Sequence, residues 1–260
     1  MMPSYFFAHG APSIVLEENG YTDFLKAFRE QQPTAPKAIV LFSAHWEQRT
    51  QTVSTAVEYD TIYDFSGFQP ELYRMTYPAK GDTALSGEVA ALFEQHGFQC
   101  VTDDQRGLDH GAWAVLKLLY PDADIPVVAL SVNRYLSNEQ QYEIGKALAG
   151  LREKDVLIIG SGGTVHNLRA LNWRAGEGES DSWAAAFDSW LQEKLEAWDL
   201  PALFRYHELA PHAREAVPTS EHFIPLLLAM GAADNGRGAR LLHRSYQFGN
   251  LSLSCWQFGE

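Results

Sequence analysis

Lys37-Ala38-Ile39-Val40-Leu41-Phe42-Ser43-Ala44-His45-Trp46 is an unbroken β-favouring apolar run that gives way to small residues and then a histidine. Such a run marks a strand buried on both faces. In α/β proteins, ligands and catalytic groups gather at the carboxyl ends of these strands, which places His45 at a site. The pattern returns at Tyr5-Phe6-Phe7-Ala8-His9-Gly10 and at Val156-Leu157-Ile158-Ile159-Gly160-Ser161-Gly162-Gly163-Thr164-Val165-His166-Asn167. A fourth run, Ile125-Pro126-Val127-Val128-Ala129-Leu130-Ser131-Val132-Asn133, has the strand without the histidine.

Working outward, residues 22–28 have amphipathic helical spacing, with Thr22 or Asp23 as the expected cap. Residues 50–57 alternate as a partly exposed strand does, 83–96 read as a helix ended by Gly97, and 98–101 as a short strand. Between them, residues 59–78 carry six aromatics among glycine and prolines, which predicts a loop packing its own rings and walling a site or the sheet. Further helices are expected over 114–119, 138–151 and 182–198, the last rich in tryptophan. Another begins near Thr219, with His222 in its first turn. Residues 239–246 and 251–258 alternate as an antiparallel pair. The expectation is a single α/β domain over residues 1–260, with a central mixed β-sheet flanked by helices and a site at the strand carboxyl ends.

Composition narrows the function. With 20 Lys and Arg against 33 Asp and Glu, the net charge is −13, and no basic cluster offers a nucleic-acid or anionic-membrane surface. A small-molecule partner is expected. Gly160-Ser161-Gly162-Gly163 lacks both the dinucleotide fingerprint and the lysine of a P-loop, which rejects nucleotide binding. Cys100 and Cys255 are too few for a disulfide framework or a thiolate zinc site, and each reads as a small buried hydrophobe. Met1-Met2-Pro3-Ser4 starts no leader-like segment and no stretch approaches the roughly 18 apolar residues of a membrane span, so a cytoplasmic protein is expected. Residues 176–181 form a short polar loop.

Nine histidines must be sorted. His96 ends a helix, where a cation suits the dipole, and His243 beside Arg244 reads as surface. His207 and His212 fall in a loop without assignment. His9, His45, His110, His166 and His222 differ, because each adjoins a glycine turn, a strand end or a helix N-terminus. Imidazole is both the commonest metal ligand and the natural acid or base near neutrality. Together the five suggest a mononuclear site. The close spacing of a helix-borne zinc site is absent, so distant loops must assemble it, and spacing alone leaves the ligand set open.

Six motifs in order carry a resemblance: His9-Gly10-Ala11-Pro12, Ser43-Ala44-His45-Trp46, Tyr63-Asp64-Phe65-Ser66-Gly67-Phe68, Gly107-Leu108-Asp109-His110-Gly111-Ala112-Trp113, residues 160–167, and Thr219-Ser220-Glu221-His222-Phe223. Over residues 7–228 the chain resembles the DOPA 4,5-extradiol dioxygenase family of the class III extradiol ring-cleavage superfamily. The resemblance implies a mononuclear divalent metal, Fe(II) for activity with Zn(II) as another ion found there, held by His9, His45 and one of Glu221 or His222. Adjacent helical residues point about 100° apart, so one of that pair faces the metal, and His222 is the choice. His166 is implied as catalytic base or fourth ligand, and His110 as proton donor. The implied reaction joins a DOPA-like catechol with O2 to give a muconate semialdehyde.

Beside this, Asp109 is a candidate to orient an imidazole, and Tyr63, Phe68 and Trp113 are candidates to stack on a flat substrate. With no arginine clamp evident, a neutral or zwitterionic catechol is preferred over a dicarboxylate. Two other readings use the same histidines: a zinc hydrolase, and a non-enzymatic metal-occupied binding protein of the superfamily. Monomer and homodimer are both open.

Overall fold

The computed structural model describes residues 1–32, 34–176 and 178–259; Glu177, in the expected polar loop, lies outside the described residues. In chain order the elements are β1 (Ser4–Ala8), α1 (Gly20–Gln31), β2 (Ala38–Glu47), β3 (Gln51–Ser54), α2 (Thr83–Gln95), β4 (Cys100–Asp103), α3 (His110–Leu119), β5 (Val127–Val132), α4 (Asn138–Ala147) and β6 (Val156–Gly162). They continue with α5 (Ser182–Glu196), α6 (Leu200–Phe204), α7 (Tyr206–Leu209), α8 (Ala213–Ala216), α9 (Ile224–Gly231), β7 (Ala239–His243), β8 (Tyr246–Gln247), β9 (Leu251–Ser252) and β10 (Cys255–Phe258). The sheet order is β4-β3-β5-β2-β6-β1-β10-β7. Strands β5, β2, β6 and β1 are mutually parallel, while β3 joins β5, and β10 joins β1 and β7, antiparallel. This is the expected α/β domain with a mixed sheet flanked by helices.

The central strands are apolar because both faces are covered. Ile39 and Leu41 of β2 join a cluster that includes α1 and α3, and Val40 and Phe42 join one built with α2, α4 and α9. A third cluster gathers α5 to α9 against β1 and β10 through Phe6, Phe187, Phe223 and Trp256. Among the described residues, no helix is long and apolar enough to cross a membrane.

Several boundaries differ from expectation, each for a local reason. Helix α1 is capped three residues or more before the expected position: the Asn19 side chain accepts from the Tyr21 and Thr22 N–H groups, and the Asn19 N–H donates to the Thr22 hydroxyl. Helix α3 starts at His110, capped by Asp109, which accepts from Ala112. His222 is not in a helical first turn. It lies in a turn closed by bonds from Phe223 and Ile224 to Ser220, and α9 begins only at Ile224 with Pro225 in its first turn. Strand β6 runs through its glycines to Gly162, because β1 pairs with it as far as Ala8. The C-terminal pair of strands is broken into four, β7 and β10 at the sheet edge and a separate β8–β9 hairpin. Cys255 is buried as expected, but Cys100 is only half-buried.

Helices α4 and α9 cross closely, and Gly145 is what allows it: a Cβ there would sit 2.0 Å from the Leu228 carbonyl oxygen. Although alanine is the better helix former by about 1 kcal/mol, the clash outweighs that gain. Gly145→Ala is expected to lower stability by about 1–3 kcal/mol, read as a reduced urea midpoint; an unchanged or raised midpoint would contradict the close crossing.

Candidate metal centre

Three adjacent parallel strands deliver their ends to one edge of the sheet. His9 follows β1, its N–H donating to the Gly162 carbonyl at 3.1 Å. His45 stands near the end of β2, inside a register irregularity of the β2–β5 pairing between Phe42 and Glu47. Such irregularities re-aim side chains beside sites. His166 lies four residues beyond β6, its N–H bonded to the Ala216 carbonyl at 2.9 Å. The His222 carbonyl accepts from Gly163 at 2.9 Å, which ties its turn to the end of β6. His110 opens α3, and the next residue must lack a side chain: a Cβ on Gly111 would meet His45 Cδ2 and Ser43 Oγ at 2.9 Å.

His9, His45 and His222 converge. The Nε2 atoms of His9 and His45 are 3.1 Å apart, and those of His45 and His222 are 3.2 Å apart. The tautomers follow from the partners on the other ring nitrogens. Ser161 Oγ donates to the Gly111 carbonyl, so it accepts from His9 Nδ1 at 3.1 Å. A carboxylate oxygen of Glu221 accepts from His222 Nδ1 at 3.1 Å, and Asp64 Oδ2 faces His45 Nδ1 at 3.5 Å. With each Nδ1 carrying a hydrogen, all three Nε2 lone pairs point at one another. Burial, then the neighbouring imidazoles, hold His45 down to about 2 and His9 well below its usual range, so both rings are neutral near neutral pH. Three facing lone pairs repel unless a cation lies among them, and a neutral-imidazole set suits a divalent transition metal.

Around this trio stand His110, His166 and two carboxylates. The Asp64 Oδ1 atom accepts from both the His110 backbone N–H and His110 Nδ1, each at 2.9 Å. Burial alone would raise the Asp64 carboxyl, but the His110 hydrogen bonds and the two imidazoles hold it at about 2. Asp64, His45 and His110 also bring donor atoms together, yet Asp64 is engaged by the His110 hydrogen bonds that orient that ring. Glu221 is held at about 2, its burial outweighed by hydrogen bonds from His222 and Thr219. It braces His222 and is not among the converging donors. His166 stacks face to face on His222, with ring centroids 3.6 Å apart, and is likewise outside the converging trio. Burial and the adjacent His222 push it down to about 3.

The site opens into a cavity of ≈ 720 Å³. Of the aromatics expected to meet a substrate, Phe68 lines it, joined by Phe65 of the same loop. Tyr63 instead donates to the Met75 carbonyl, and buried Trp113 donates to that of Ile62. Asp109 orients no imidazole; it caps α3, accepts from Ser43 Oγ and pairs with Arg106. The orienting residue is Asp64, which sequence reasoning quoted within a motif and left without a role. A carboxylate in an otherwise aromatic loop, with no helix to cap, was the available signal. Arg169 also lines the cavity, a single arginine where the sequence showed no evident clamp. The unassigned histidines lie elsewhere: His96 bonds to Leu92 O at its helix end, His212 is exposed, and His207 stacks on Tyr206. His243 is not a surface group, since it is half-buried between Tyr21 and Phe24.

The profile described as the catalytic LigB subunit of aromatic ring-opening dioxygenase matches residues 6–255. A Beta vulgaris protein named 4,5-DOPA dioxygenase extradiol is 41% identical over 258 residues, covering 98% of this chain and 96% of that protein. The Escherichia coli K12 protein of the same name is 36% identical, covering 99% and 95%. A crystal structure of the uncharacterized protein JW3007 from Escherichia coli K12 superposes with a TM-score of 0.83 at 33% identity, over 100% of both chains. The chain thus belongs to the family of the catalytic LigB subunit of aromatic ring-opening dioxygenases and is an enzyme of the extradiol dioxygenase type.

Proposed function

We propose that residues 1–260 form one catalytic domain that cleaves a catechol beside its diol, using O2 and Fe(II), to give a muconate semialdehyde. Both atoms of O2 enter the product as the ring carbon–carbon bond breaks. The observation that supports this most directly is the convergence of three Nε2 atoms, from His9, His45 and His222. Those three would hold the metal. When bound, Fe(II) would supply a Lewis-acidic and redox-active centre that acidifies the diol and brings dioxygen and the ring into reaction.

The chain's own groups do the rest. His166, neutral through burial and stacked beside His222 on the cavity, takes a proton from a catechol hydroxyl. Its face-to-face placement favours that role over that of a fourth ligand. His110, with its Nδ1 hydrogen held by Asp64, presents the Nε2 lone pair, which takes up a proton from the second catechol hydroxyl and returns it as the ring opens. Phe65 and Phe68 give the flat ring an apolar wall and help exclude water. The two free cysteines suit a reducing, cytoplasmic setting.

Fe(II)-loaded protein is expected to consume one O2 per catechol and to yield a yellow product, whereas zinc-loaded protein consumes none. His166→Ala should lower kcat about a hundred- to ten-thousand-fold while metal content is retained. Oxygen-independent turnover, or full activity in that variant, would refute the assignment.

His9→Ala, His45→Ala and His222→Ala should each abolish stoichiometric metal binding. Asp64→Asn should weaken it by about ten- to a hundredfold, because the neutral amide supports the His45 tautomer poorly. Chelator competition reads both effects, and wild-type affinity in Asp64→Asn would remove Asp64 from this role.

A further inference from the structure

The cavity has two unlike ends. Its floor is formed by buried His9, His110 and His222, while exposed Leu168, Arg169 and Trp173 stand on its solvent side. The carboxylates that line it, Asp64 and Glu221, are committed to imidazoles at the floor. Arg169 is the one lysine or arginine of the lining, and among the described residues its guanidinium has no hydrogen-bond or ion-pair partner. At ≈ 720 Å³ the space encloses a drug-sized ligand, which is more than a bare catechol ring fills.

The segment bearing Arg169 is fastened on both sides. Its N–H donates to Asn167 Oδ1 at 3.1 Å. Buried Asn250 donates to the Ala170 carbonyl at 2.7 Å, and the Asn172 N–H donates to the Phe248 carbonyl at 2.9 Å. Trp173 then leans on Phe248 with ring centroids 4.7 Å apart. The β8–β9 hairpin region thus fixes the main chain beneath a cation at the mouth, and less backbone ordering remains to be done on binding.

We propose that Arg169 is a specificity-determining residue that binds a carboxylate on the substituent of the catechol opposite its diol. The proposal rests on the ring-opening reading and adds the recognition of the substrate's far end. A diol held at the floor sends a para substituent toward the mouth, where the guanidinium fork accepts a carboxylate through charge-assisted hydrogen bonds. An amide of the same shape lacks the charge and keeps only neutral bonds.

The test compares a dihydroxyphenylpropanoate with its primary amide on wild type, Arg169→Gln and Arg169→Lys, all metal-loaded. Turnover is read by oxygen uptake, and binding by calorimetry without oxygen. Wild type should favour the acid by about ten- to a hundredfold in kcat/KM, the range of a hydrogen bond to a charged group, mainly through KM and with a matching ratio of Kd values. In Arg169→Gln the acid-to-amide ratio should collapse toward one, and Arg169→Lys should keep part of it. An acid-to-amide ratio near one in wild type, or the wild-type ratio in Arg169→Gln, would overturn the role of Arg169 and leave the ring-opening reading standing. Absence of turnover of both compounds by wild type, with the Kd ratio intact, would overturn the ring-opening reading and uphold anion recognition by Arg169.

Discussion

Three imidazole lone pairs turned toward one another are the constraint on which the rest of the site depends. A ring left to itself would swap tautomers or rotate to relieve the repulsion. Here each meets a polar group at the opposite nitrogen: hydrogen bonds to Ser161 for His9 and to Glu221 for His222, and the facing Asp64 carboxylate for His45. Those acceptors are themselves fixed, Ser161 by the Gly111 carbonyl and Glu221 by Thr219. Side chains so braced present their Nε2 atoms ready for a cation with little reorganisation.

The sheet makes this possible because the three strands β2, β6 and β1 are neighbours and parallel. His9 leaves one, His45 ends another, and Ser161 lies between them in the third, so ligand and brace come from adjacent backbones. The turn bearing His222 is fastened to the same edge by a single bond from Gly163. His110 comes from outside the sheet, on the first turn of a buried helix.

Much of this was legible in the sequence, and the limits have physical causes. Apolar runs are strong local signals that identified β1, β2, β5 and β6, and the histidines after the runs of β1, β2 and β6 marked their site-facing ends. The five histidines singled out for chemistry all line the cavity. What could not be read was partnership between side chains far apart in the chain. Asp109 and His110 are neighbours in sequence, yet helix geometry turns Asp109 to cap α3 and Ser43, while Asp64 reaches in from a loop 46 residues away. Helix starts were misplaced where glycine stood in the first turn, at Gly20 and Gly111. Propensity penalises glycine there, whereas packing against the site requires Gly111.

The position of β1 carries a consequence for biosynthesis. Among the strands of this sheet its five residues come earliest in the chain, but both of their partners come much later, β6 from residue 156 and β10 from residue 255. This strand therefore waits, apolar and unpaired along both edges, for the roughly 150 residues until β6 is made. Closing contacts of such long range is slow, and exposed edges of this kind invite mispairing in the interval. The convergence of the three imidazoles accordingly waits on closure of the sheet, since His9 has no fixed place until β1 is paired on both sides.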